Sequence, residues 1–197
     1  MIKESRPIIF NGNGYSAEWE KEAGKRKLLN LKNTVDALPE LVKPESIKIF
    51  EAHKVLNERE VHARYEIMLE QYVKTINVEA QLMVLMANRY ILPAALSYQT
   101  AVAQSVAAGK AAGVVSGETK KLLTDFTRTI DGFRKNTDKL AVAADHLGGS
   151  AEKHAKYMRD TVIPAMTALR EFGDVIESTV PSNTWPLPTY REMLFIK

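Results

Sequence analysis

The chain has 197 residues, 45% of them hydrophobic and 26% charged, which is length and apolar material enough for a domain with its own core and excludes a disordered tail or linker. A formal charge of +3 falls far short of the concentrated basic face that nucleic acid requires, so no nucleic-acid partner is expected. Cysteine is absent, so disulfides, thiolate metal sites and a cysteine nucleophile are excluded together, and a reducing cytoplasm is the expected location.

The opening MIKESRPIIF has no apolar run of signal-peptide length, and no later stretch offers the ~18 uncharged apolar residues of a membrane span, so no membrane partner is expected. Residues 6–10 predict a brief strand that enters the turn Asn11-Gly12-Asn13-Gly14. A strand this short cannot satisfy its own ladder, so its partner is expected outside the chain. NGNGYS lacks the spacing of a phosphate loop and reads as a plain turn.

Ser16 is placed to cap a short helix through Trp19 and Ala23, ended by Gly24 and the basic run Lys25, Arg26, Lys27. Residues 34–41 and 44–53 predict two more short helices, the second with Pro44 in its first turn. Leu38, Leu41, Ile47 and Phe50 are their apolar residues.

A single long helix is predicted over 57–108, and the rest of the chain is organised around it. Asn57 with Glu60 three residues on forms a capping box with Asn in the Ser/Thr position. Val61, Tyr65, Met68, Tyr72, Ile76, Met83, Met86 and Tyr90 recur at threes and fours as one apolar stripe, which Glu79 interrupts. Gly109 and Gly113 supply its end. Ser116 then caps a second helix with the stripe Leu123, Phe126, Ile130, Phe133, Thr137, Leu140, Ala144, Leu147. Ser150 caps a third with Ala151, Ala155, Met158, Val162, Ala165, Leu169, Phe172, Ile176. Connections this short make sequential helices antiparallel neighbours. The fold class is therefore mainly α, an elongated antiparallel helical bundle built on one long kinked helix, with short N-terminal helices and an extended C-terminal tail.

Pro93 and Pro164 fall inside the first and third helices, where each removes an amide and should kink its helix. At ~1.5 Å per residue, Pro93 lies roughly 52 Å along the first helix and Pro164, reached by descending the second and climbing the third, at roughly 50 Å. The two kinks are expected to be level.

Candidate chemistry along the helices is sparse. Glu58, His62 and Glu66 share a face, but a carboxylate bundle site needs Glu-x-x-His pairs on facing helices and none is present, so a solvated face explains them and no metal site is assigned. His146 and His154 flank the Gly148-Gly149 turn and are explained by that turn. Lys110 is followed by Ala111, not the Ser or Thr of a phosphate loop. Met68, Met83, Met86, Met158 and Met166 are read as core filler. No residue is assigned as catalytic, cofactor-binding or metal-binding.

After Ser178 the character changes. Pro181, Pro186 and Pro188 favour an extended path, yet the segment is too apolar for a solvated tail. Trp185, Leu187, Tyr190, Leu194 and Phe195 are therefore the candidate docking residues, for this bundle or for another domain or subunit.

The tail WPLPTYREMLFIK, the entry IIFNGNGYSAEWEKEA and the intervening DALPEL, FEAHKVLNEREVHARYE, TINVEA and MRDTVIPAMTALR resemble the C-terminal part of type III glutamine synthetases, over essentially the whole chain. The resemblance implies an enzyme that makes glutamine from glutamate and ammonia with ATP and magnesium or manganese, through a γ-glutamyl phosphate, in stacked rings with active sites between subunits. It also implies that the metal-binding glutamates, nucleotide contacts and arginines belong to sequence preceding Pro7. The chain is thus expected to be a fragment without the catalytic domain, inactive alone, and to hold no cofactor itself.

On that basis 1–56 would be the closing segment of the catalytic domain, 57–178 the three-helix bundle and 179–197 the docking tail. The partners implied are the enzyme's own catalytic domain and neighbouring subunits, in a homo-oligomer. The alternative is a stand-alone cytosolic helical-bundle adaptor or regulatory protein.

Overall fold

The computed structural model describes residues 9–114, 116–146 and 148–195. It divides into two compact units, Met1–Tyr65 and Glu66–Lys197.

In the first unit, Ser16 accepts a hydrogen bond from the Trp19 amide at 3.4 Å and caps α1 (Ala17–Lys25). Gly24 lies inside this helix and does not end it. The end is made by Lys27, whose φ of 57° is left-handed, with the Leu28 amide reaching back to the Ala23 carbonyl at 3.0 Å. That is a Schellman closure with lysine in the usual glycine position.

The strand expected over 6–10 is not found where it can be checked: Ile9 and Phe10 carry no ladder, and residues 6–8 lie outside the described residues. Local packing takes its place. The Phe10 ring tilts against Trp19 with centroids 4.8 Å apart, and Arg26 donates to the Ile9 carbonyl at 3.2 Å. Gly12 sits under the same ring, where an added Cβ would be 2.5 Å from Phe10 Cζ.

Residues 34–41, expected as one helix, divide into α2 (Thr34–Ala37) and a 3-10 turn (Leu38–Val42). Pro39 is the cause, since it donates no amide and its ring crowds the preceding turn. Asn33 caps α2, its side chain accepting from the Asp36 amide at 2.9 Å. Pro44 opens α3 (Pro44–Ala52), which ends on a second left-handed lysine, Lys54, with φ 54°.

The long helix starts at the capping box read from the sequence. In α4 (Glu58–Met86), the Asn57 amide donates to Glu60 at 2.8 Å and the Glu60 amide to the Asn57 side chain at 2.9 Å. A kink is expected in its middle at Pro93, and the interruption found there has a specific form. A π-helical turn, π1 (Ala87–Ile91), interrupts it before α5 (Leu92–Ala111), and the Leu92 amide bonds to the Ala87 carbonyl.

That turn absorbs about one extra residue, so the buried face jumps by roughly 100° relative to a straight helix. The buried residues are Val61, Leu69, Val73, Ala80, Ala87, then Ala94, Ala95 and Val102, whereas Met68 and Tyr90 of the predicted stripe are 44% and 46% exposed. The offset is present before π1, where Leu69 and Val73 rather than the predicted Met68 and Tyr72 are the buried residues, and beyond π1 the buried face continues at Ala94, Ala95 and Val102.

The second unit continues with α6 (Gly117–Ala144), α7 (Ala151–Tyr157), the π turn π2 (Met158–Val162) and α8 (Ile163–Thr179). Ser116 and Ser150 cap α6 and α7, accepting from the Thr119 and Lys153 amides at 3.2 and 3.4 Å. α6 packs on α5 along one side and on α8 along the other. Its predicted stripe is buried at Phe126, Ile130, Phe133, Thr137, Leu140 and Ala144; Leu147 lies outside the described residues. Burying a side chain as large as Phe133 contributes about 2–3 kcal/mol, while each exposed ion pair such as Glu70 with Lys74 gives about 0–1, so the apolar seam holds the bundle.

Across α5 and α6, Gln99 donates to the Thr127 hydroxyl at 2.8 Å and Tyr98 stands edge-on to Phe126 at 5.2 Å. Both π turns sit just before a proline, Pro93 and Pro164. α8 packs against π1, and Ile91 and Ile163 line one groove, so the two interruptions lie at one level of the bundle. The fold is a helical bundle, with no strand among the described residues.

Candidate functional site

The groove in which Ile91 and Ile163 meet encloses about 560 Å³. One wall comes from α4 and π1 with Ile76, Met83 and Met86, the other from α8 with Met166 and Leu169, and Phe133 of α6 contributes the floor. Three methionines in one groove make an adaptable apolar surface. Its charged residues are Glu79, Arg170, Asp174 and Glu177. Arg170 lies 3.5 Å from Asp174, and Glu79 and Glu177 have no ion-pair partner among the described residues. The rim is therefore acidic. Glu79, which broke the predicted stripe, is a rim residue, and that break was the one sequence signal for the groove.

The tail reaches the same groove. The Thr184 and Trp185 amides donate to the Pro181 carbonyl at 2.9 and 3.0 Å, which turns the chain back so that Trp185 and Leu187, both half-buried, line the cavity. The indole Nε1 of Trp185 is buried and has no acceptor among the described residues.

Past Pro188 the tail closes in one short helix, α9 (Tyr190–Leu194). Thr189 and Glu192 form its capping box: the Thr189 amide donates to the Glu192 carboxylate at 2.7 Å and the Glu192 amide to the Thr189 hydroxyl at 3.4 Å. The Thr189 amide and hydroxyl hold the Glu192 carboxyl below its ordinary value. On this helix and at its C-cap, Met193, Leu194 and Phe195 are 55%, 71% and 71% exposed. The Tyr190 side chain lies outside what is described.

The five candidate docking residues thus separate. Trp185 and Leu187 pack on the bundle, and Leu194 and Phe195 face outward.

The remaining candidates are placed as follows. Glu58, His62 and Glu66 are exposed. His146 stacks on Tyr157 with centroids 4.1 Å apart and stands edge-on to His154 at 6.2 Å. His154 Nε2 is buried without a partner among the described residues. No group of three His, Cys, Asp or Glu side chains among the described residues is arranged to hold a metal ion. Among the described residues no helix is long and apolar enough to cross a membrane. In π2, Arg159 grips Asp160 with both ends of its fork at 2.6 and 2.9 Å, which lowers the Asp160 carboxyl pKa.

Fold and surface together define a helical domain that carries a partly docked apolar tail, without a constellation for catalysis among the described residues. Residues 1–110 match the family described as the glutamine synthetase C-terminal domain. The chain is 32% identical over 205 residues to a glutamine synthetase of Butyrivibrio fibrisolvens, covering 99% of this chain and 29% of that protein. It is 30% identical over 205 residues to one of Bacteroides fragilis, covering 100% and 28%, and 29% identical over 198 residues to the type-3 glutamine synthetase of Dictyostelium discoideum, covering 96% and 27%. The chain belongs to the glutamine synthetase C-terminal domain family, and it spans less than a third of the length of these relatives.

Proposed function

We propose that this chain is the non-catalytic C-terminal assembly region of a cytoplasmic glutamine synthetase, in which ATP-dependent ligation of ammonia to glutamate is carried out by residues outside it. The observation that carries this reading is the match along the whole chain to less than a third of each relative, joined to a surface of apolar groove and outward-facing tail. An exposed cluster of Met193, Leu194 and Phe195 is costly to leave in water and serves a contact, with the catalytic domain or with neighbouring subunits of a homo-oligomer. ATP and magnesium or manganese belong, in this reading, to the catalytic portion.

The test is reconstitution. The Bacteroides fragilis relative, shortened to remove the region this chain matches, is expected to be inactive or wrongly assembled, and to regain glutamine formation and its native sedimentation when this chain is fused in its place. Indifference to the addition favours a stand-alone helical adaptor instead. ATP-dependent glutamine formation by this chain alone overturns the proposal.

A further inference from the structure

Two surfaces of the second unit are each unmatched, and they match one another. The groove between α4 and α8 has a lining of methionine and aliphatic side chains and an acidic rim whose Glu79 and Glu177 lack cations among the described residues. The tail helix α9 presents Leu194 and Phe195 to solvent beside Arg191, which is exposed and has no carboxylate partner among the described residues. The acid on that helix, Glu192, is already committed to Thr189.

Within one chain the two surfaces do not meet. Trp185 and Leu187 occupy the edge of the groove, Pro188 follows, and α9 stays exposed.

Resting on the assembly role given to the tail above, we propose that the groove is the receptor for α9 of a second copy of this chain: Leu194 and Phe195 enter its apolar floor and Arg191 meets Glu79 and Glu177 at the rim. A cavity of about 560 Å³ lies in the size range of binding pockets and admits both side chains. The three methionines adjust to the incoming ring. Charge complementarity at the rim fixes orientation, and burial of the apolar pair supplies most of the affinity.

The experiment is sedimentation velocity on the full chain across a concentration series, with circular dichroism confirming that each variant is folded. Wild type is expected to self-associate. Phe195→Asp, at an exposed position, is expected to raise the dissociation constant at least about tenfold, or ~1.4 kcal/mol. Arg191→Glu and Glu177→Arg should each weaken association, and the two together should restore it.

A chain that remains monomeric throughout overturns the proposal, as does association that ignores both Phe195→Asp and the charge exchange. If the same tail variants abolish reconstitution of the shortened relative while self-association is unchanged, the assembly role stands and the second copy is rejected as the occupant.

Discussion

The ring of Phe172 on α8 lies over Gly132 on α6 so closely that a Cβ on the glycine would be 2.2 Å from Cε1. The relationship is one-sided, because Phe133 Cε2 lies 3.8 Å from the position of a Cβ on Gly173, an ordinary contact distance. The sequence runs Asp-Gly-Phe on α6 and Phe-Gly-Asp on α8, and of the two glycines it is Gly132 that admits the other helix's ring. Gly132 costs about 1 kcal/mol of helix propensity relative to alanine, and the packing it permits offsets that cost.

Replacing Gly132 by alanine therefore tests packing against propensity. Propensity alone gives a gain of about 1 kcal/mol, whereas overpacking costs about 1–3, and at 2.2 Å the ring must move. Gly132→Ala should lower the urea midpoint at unchanged slope. Combined with Phe172→Ala, it should cost less than the two single losses added, with a coupling of about 0.5–3 kcal/mol. A stabilised Gly132→Ala variant would show that the ring moves aside freely.

The π turn offers a second test. π1 takes up about one residue more than an α-helix would, and this rephases the apolar face between Ala87 and Ala94. Deleting Asn88 together with Pro93→Ala should yield a continuous α-helix and a cooperatively folding protein. Deleting Gln81 instead rotates everything after it by about 100° and should abolish cooperative melting. Equal damage from both deletions would mean that the turn does not set the phase.

Lys27 and Lys54 hold φ values of 57° and 54°, where a Cβ is strained by about 1–2 kcal/mol. Lys54→Gly should stabilise the protein by about 0.5–1 kcal/mol after the greater entropy of glycine in the unfolded chain is counted. Thermal melts of the two proteins at one ionic strength decide it. The Val55 amide bond to the Phe50 carbonyl, at 3.0 Å, should persist in hydrogen exchange.

The tail helix should be sensitive to acid in one direction. The Thr189 amide and hydroxyl donate to Glu192 and lower its carboxyl pKa from 4.5. A carboxyl depressed in the folded state contributes stability that is complete above its unfolded value and is lost as pH falls through its folded value. α9 should therefore fray as pH drops below about 4.5, which side-chain carboxyl chemical shifts can follow. Thr189→Val removes the hydroxyl donor and should return the Glu192 titration toward its ordinary position.

Sequence alone determined the caps, the stripes of α6 and of α7 through α8, and the family. Ser16, Asn57, Ser116 and Ser150 announce helix starts because a side-chain acceptor and a first-turn amide lie within a few residues of one another, and the threes and fours of α7 through α8 match the buried Ala155, Met158, Val162, Leu169 and Ile176 on both sides of π2. Tertiary structure decided the rest. It rephased the long helix at π1, replaced the expected ladder at Ile9 and Phe10 with a ring on Trp19, and sent Trp185 and Leu187 to the groove while leaving Leu194 and Phe195 outside. Those outcomes turn on residues far apart in the chain, such as Ile76 with Trp185 or Gly132 with Phe172, and local spacing carries no record of which distant side chain fills a given space.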